Sequence, residues 1–118
     1  MGDYQPHYFP ADNIPLVLTG TVTGGQPVNA GGTVCTAGDG AFVGIADRDG
    51  VAGDQIEPYT EGMHTVIASG AVAVGDRIKT AAGGKFSKFT AGTDASDLQV
   101  GKALTAAADG NTFDLLLA

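Results

Sequence analysis

Apolar and polar positions along the chain group into runs of four to eight residues, each stopped by glycine, aspartate or asparagine. "PLVLTGTVTGG" predicts a first strand near residues 16–23, with Gly24-Gly25 as a turn or bulge. "QPVNA" predicts a second short strand, in which Pro27 fits only at a sheet edge. "TVCTA" and "AFVGIAD" follow as strands. "DRDGVAGD" reads as turn, because Asp and Gly supply local hydrogen bonds and positive φ angles. Further strands are expected in "QIEPYTEG", "MHTVIASGAVAVG", "RIKTA", "KFSKF", "LQVGKALTAAA" and "TFDLLLA". The "LQVGKALTAAA" segment also fits an Ala-rich helix, but Gly101 inside it and "DGN" behind it favour a strand.

Two long stretches share a rhythm. Gly20 aligns with Gly70, Val22 with Val72, Gly25 with Gly75, Val28 with Ile78 and Gly31-Gly32 with Gly83-Gly84. Farther on, "FVGIA" aligns with "QVGKA" and "DQIE" with "NTFD", while the offset drifts from 50 to 57. Drift of this kind, absorbed in loops, is compatible with a duplicated β unit.

Composition narrows the class to all-β. Val and Ile number 15 against 7 Leu, and 19 Gly interrupt any long helix. With 118 residues the chain is sized for one domain, residues 16–118, preceded by an extended N-terminal arm, residues 1–15. The arm holds three of the five prolines and the aromatics Tyr4, Tyr8 and Phe9, a mixture of extended backbone and adhesive side chains. Of the apolar residues 18 are Ala, so the core is modest and a partner surface would supplement it.

A net charge of −7 disfavours nucleic acid, whose binding depends on Lys and Arg displacing counterions. The charge is uneven: residues 1–76 carry nine acids and one base, whereas Arg77, Lys79, Lys85 and Lys88 fall within residues 77–88 without an acid among them. This predicts a basic hairpin attracted to an acidic partner. The first residues show no export signal, and no stretch approaches the ~20 apolar residues that cross a bilayer, so a soluble, unexported chain without membrane contact is expected. The single cysteine, Cys35, fits a buried small hydrophobe in a reducing compartment.

Chemistry-bearing patterns are weak throughout. "DRDGVAGDQIE" offers carboxylates, but Val51 and Ala52 stand where a calcium loop needs a ligand and a glycine. His7, His64 and Cys35 do not make a zinc set, and Ser69, Ser87 and Ser96 lie in no nucleophile elbow. The glycine pairs lack the lysine and helix of a phosphate loop, and "GGKFSKF" reads as a hairpin packed on one face. No metal, cofactor, small-molecule substrate or catalytic residue is expected.

The ordered set "LTGTVTGGQPV", "FVGIADRDGVAGDQIEPYTEGMHTVIASGAVAVGDRIKTAAGGKF" and "VGKALTAAADGNTFDLLLA" resembles the head decoration, or capsid cement, proteins of tailed bacteriophages, in the Ala/Gly-rich style of those infecting actinobacteria. The resemblance covers roughly residues 14–118. It implies a small β-tulip or β-clip fold, as barrel or sandwich, often trimeric. It also implies a seat on the outer surface of the virion capsid, with the major capsid protein as partner and manufacture in the host cytoplasm. Interface candidates are then Tyr4, Tyr8 and Phe9 on the arm and Arg77, Lys79, Lys85 and Lys88 on the hairpin. Competing classes are a small trimeric nucleotide hydrolase resembling dUTPase, of whose acidic motif "GIADRDG" is a poor imitation, and a virion sugar-binding module, which the lack of Trp disfavours.

Overall fold

The computed structural model describes residues 15–117. Its nine strands are β1 (Leu16–Val17), β2 (Pro27–Asn29), β3 (Phe42–Ile45), β4 (Gln55–Ile56), β5 (Gly62–Ile67), β6 (Arg77–Ala81), β7 (Lys85–Lys88), β8 (Gly101–Ala103) and β9 (Thr112–Leu117). The fold is all-β, and the "LQVGKALTAAA" segment is a strand preceded by a single 3-10 turn at Ser96–Leu98.

Strand order repeats. In residues 61–117 a five-stranded antiparallel sheet runs β5-β9-β8-β6-β7. Residues 15–60 place β1 against β4 and β2 against β3, and the Ile45–Tyr59 bridge joins the two pairs. The resulting order, β1-β4-β3-β2 with Val34 bridged to Val28 beyond it, is that of the second half in shorter form. Register agrees as well: Leu16 faces Ile56 as Val66 faces Phe113, and Val28 faces Gly44 as Ile78 faces Gly101.

Four equivalent turns carry the duplication: Thr23–Gln26, Val51–Asp54, Ala73–Asp76 and Ala108–Asn111. In each, the fourth residue's N–H donates to the first residue's carbonyl at 3.0–3.1 Å. The third residue is a glycine at φ 92° (Gly25), 94° (Gly53), 85° (Gly75) and 83° (Gly110). This is the type II pattern, which excludes most L side chains at that position. Each turn then clasps one buried residue by two backbone bonds. Ala46 is held between Gly25 and Gln26, Leu18 between Gly53 and Asp54, Ala103 between Gly75 and Asp76, and Ala68 between Gly110 and Asn111, all at 2.8–2.9 Å. In three of the turns the fourth side chain also accepts from the first N–H: Gln26 from Thr23, Asp54 from Val51 and Asp76 from Ala73, each at 2.9 Å.

The repeated V-G-x-A segments contain another matched pair. A Cβ on Gly44 would strike the Tyr59 carbonyl, and one on Gly101 the Leu116 carbonyl. Here space, not φ, requires glycine, because adjacent strands approach too closely for a side chain.

Two apolar clusters form. Leu18, Val22, Val28, Ala46 and Ile56 make the smaller one inside the first half. The larger unites Val66, Ala68, Ile78, Phe86, Phe113 and Leu115 of the second half with Ile45 of the first. Phe42 adds an edge-on contact to Phe86, with ring centroids 6.4 Å apart. The halves are also linked through Thr80, 1% exposed, whose hydroxyl donates to the Thr36 carbonyl and accepts from the Asp39 N–H, both at 2.9 Å.

Several sequence expectations change in detail. The strand expected over residues 16–23 is interrupted: pairing stops at Val17, the Gly53–Asp54 clasp takes Leu18, and Val22 makes an isolated bridge to Gly50. "TVCTA" contributes only the Val34 bridge. Pro27 is not at an open edge, since Cys35 donates to its carbonyl at 2.9 Å on one side and β3 lies on the other. It is tolerated because it stands opposite Ile45 while the flanking Gln26 carbonyl takes the bond from Ala46. The large sheet curls until Ala68 on one edge bridges Phe86 on the other, yet continuous pairing does not close it into a barrel.

Candidate functional site

β6 and β7 form the hairpin that carries the four basic residues, in the register Ile78 to Lys88, Lys79 to Ser87, Thr80 to Phe86 and Ala81 to Lys85. Facing residues share a side of a sheet, and alternate residues point oppositely. Arg77, Lys79 and Lys85 therefore lie on the outer side, and Lys88 emerges on the side of Ile78 and Phe86. The hairpin is basic, but its charges do not form a single patch.

Lys79 is also not free. Its Nζ donates to Asp94 Oδ1 at 2.7 Å, and both side chains are largely covered. This bond first, and the Thr90 N–H second, hold the Asp94 carboxyl below its usual range. Among the described residues no acid reaches ion-pair distance of Arg77, Lys85 or Lys88.

Lys102 joins the outer side through pairing. It stands directly opposite Arg77 on one flank and Leu116 on the other, and Leu116 in turn faces Met63. The row Met63–Leu116–Lys102–Arg77 thus runs from apolar to cationic across four strands. Met63 is 59% and Leu116 40% exposed. Sequence reasoning missed Lys102 because it lies far along the chain from the hairpin. The repeat held the signal: "FVGIA" aligned with "QVGKA" sets Lys102 against Ile45, a position that turns from apolar to charged between copies.

The arm candidates Tyr4, Tyr8 and Phe9 lie outside the described residues. His64 is engaged structurally, with Nε2 2.8 Å from the Glu61 carbonyl and its ring stacked on Tyr59 at 5.1 Å. Burial, then the charge and hydrogen bond of Asp39, push the Cys35 thiol up to about 12, which suppresses the reactive thiolate. Among the acids of "DRDGVAGDQIE", Asp47 binds the Arg48 guanidinium at 2.8 Å, Asp49 accepts from the Gly24 N–H and Asp54 caps its own turn. Burial opposes ionisation of Asp47, yet the Arg48 and Glu57 N–H bonds prevail and hold its carboxyl low. Among the described residues no three His, Cys, Asp or Glu side chains are grouped to hold a metal. A crevice of about 280 Å³ between the halves is lined by Thr23, Gln26, Thr65, Ile67 and Thr112 and bears no ionisable group.

Comparisons with known proteins add a family and a fold. No curated protein matches the chain. Among solved structures, the N base of the head fiber gp8.5 of bacteriophage phi29 has a similar fold, with a TM-score of 0.65 and 19% sequence identity over 90% of this chain and 92% of that one. A family model described as phage cement protein matches residues 10–117. The chain belongs to the phage cement protein family, proteins that decorate and stabilise the phage head.

Proposed function

We propose that the chain acts by binding, as a homotrimer and without catalysis, to the outer surface of the lattice built by the major capsid protein, after synthesis in the host cytoplasm. The observation that carries this reading is the family match over residues 10–117. The fold shared with a phage head fiber base supports a virion role, and neither comparison points to a nucleotide hydrolase or a sugar-binding module. On this reading the β6–β7 hairpin meets acidic groups of the lattice through Lys85 next to its tip and Lys88 at the far end of β7, neither of them ion-paired among the described residues, and Tyr4, Tyr8 and Phe9 of the arm add apolar contact.

Titrating the full chain onto undecorated capsids tests this. Saturable binding and a higher capsid melting temperature are expected. The variant Lys85→Glu/Lys88→Glu should bind more weakly with a flatter salt dependence, because attraction between exposed charges fades as the Debye length shrinks. Absence of wild-type binding would overturn the reading; equal salt slopes would remove the hairpin from it.

A further inference from the structure

The two halves differ in what covers one face. In the first half, Ile45 is 2% exposed because it packs into the cluster of Val66, Phe86 and Phe113. Its neighbour Pro27 is buried as well. The counterparts of Ile45 and Pro27 are Lys102 and Arg77, and both are exposed. Tyr59 and its counterpart Leu116 are similarly exposed, at 41% and 40%. At Ile45 the duplicated face is therefore covered by the other half, and at its counterpart Lys102 it is bare.

The bare face carries a specific chemistry. Arg77 and Lys102 are direct cross-strand neighbours, an arrangement of like charges that destabilises a sheet. Among the described residues neither has an acid to offset it. Beside them Leu116 and Met63 leave apolar surface in water. A fitting partner presents carboxylates next to apolar side chains.

The first half of the chain presents that combination. Val51, 55% exposed, projects from the turn between Asp49 and Asp54, and the exposed Glu57 follows directly after β4. The region's one base, Arg48, is already held by Asp47. We infer that the row Met63–Leu116–Lys102–Arg77 docks a second copy of this chain through its Val51–Glu57 edge. The two patches are different surfaces of one chain, so the contact is heterologous and closes into a ring when the rotation allows it. The inference rests on the reading of the protein as an oligomer and names the faces that meet.

Two full-length variants test it, each replacing exposed side chains outside the core: Arg77→Glu/Lys102→Glu, and Val51→Lys/Glu57→Lys, where Val51 enters its turn through backbone groups alone. Association is measured by sedimentation velocity on the wild type, each variant and their equimolar mixture, with circular dichroism confirming the fold. Each variant alone should associate about tenfold or more weakly than wild type, and the mixture should recover part of the association, because a mixed trimer has complementary charges at two of its three contacts. A monomeric wild type, a variant that associates normally, or a folded mixture that stays dissociated would overturn the inference. If either double variant unfolds, Lys102→Glu and Glu57→Lys take their places, with the same outcomes. Loss of capsid binding by Arg77→Glu/Lys102→Glu with association intact would assign the face to the capsid and overturn the inference while leaving the proposed function standing. Wild-type chain that associates but ignores capsids would do the reverse.

Discussion

The first and second halves reach the same backbone with different side chains. Their turns close with Gln26 and Asp54 in one and with Asp76 and Asn111 in the other, but the glycine φ values and the two-bond clasps agree. Strand length differs sharply: the pair β1–β4 has two residues in each strand, and its counterpart β5–β9 has six. The clasps and the strand crossings at Gly44 and Gly101 thus define the unit, and ladder length varies around them. The second contrast is on the face, where burial of Ile45 opposes exposure of Lys102. Duplication supplied two equal surfaces, and contact inside the chain used one.

Breaking the crossings tests the equivalence most severely. Gly44→Ala and Gly101→Ala each force a methyl onto a backbone carbonyl that belongs to the paired strand. Each should lose about 3 kcal/mol in urea unfolding, at the upper end of overpacking costs. A loss confined to one half would show that the crossings are not equivalent.

The clasps give a smaller effect. Asp54→Ala and Asp76→Ala remove a side-chain acceptor from the Val51 and Ala73 N–H groups and should cost about 1 kcal/mol each. Gln26→Asp, which imports the second half's residue at the matching position, should stay nearer to wild type than Gln26→Ala.

The smallest effect is at the junction of the halves. Asp39 accepts from Asn29, Thr36 and Ala41, and the Asn29 amide first, then the Ala41 N–H, hold its carboxyl below the ordinary 3.8. A depressed native value means that the stabilisation is present above the unfolded value and is lost as pH falls through the native one. Urea midpoints should therefore decline below about pH 4, and Asp39→Asn should decline less steeply over that window.

The duplication was legible in the sequence because its anchors are glycines with a physical reason to stay: positive φ at Gly25 and Gly75, close approach at Gly44 and Gly101. The short first-half strands were not, because residues such as Val22 and Val34 keep β-forming side chains while making only isolated bridges. Position in the chain identified the basic hairpin but not its faces. Alternation sends Lys88 to the opposite side, and a loop brings Asp94 back to Lys79 from 15 residues away. Cross-strand register, absent from a linear reading, put Lys102 beside Arg77.

The clasps also bear on the order of folding. Leu18 reaches Asp54 and Gln26 reaches Ala46 within the first half, and Ala68 reaches Asn111 and Asp76 reaches Ala103 within the second; no clasp crosses between them. Closure entropy rises with the length of chain enclosed, so each half can complete its clasps before the Thr36–Thr80 and Asp39–Thr80 bonds join them. An all-β chain of this size would ordinarily search through many distant pairings, and those dominate the slow folding of such topologies. Repetition divides that search into two shorter ones.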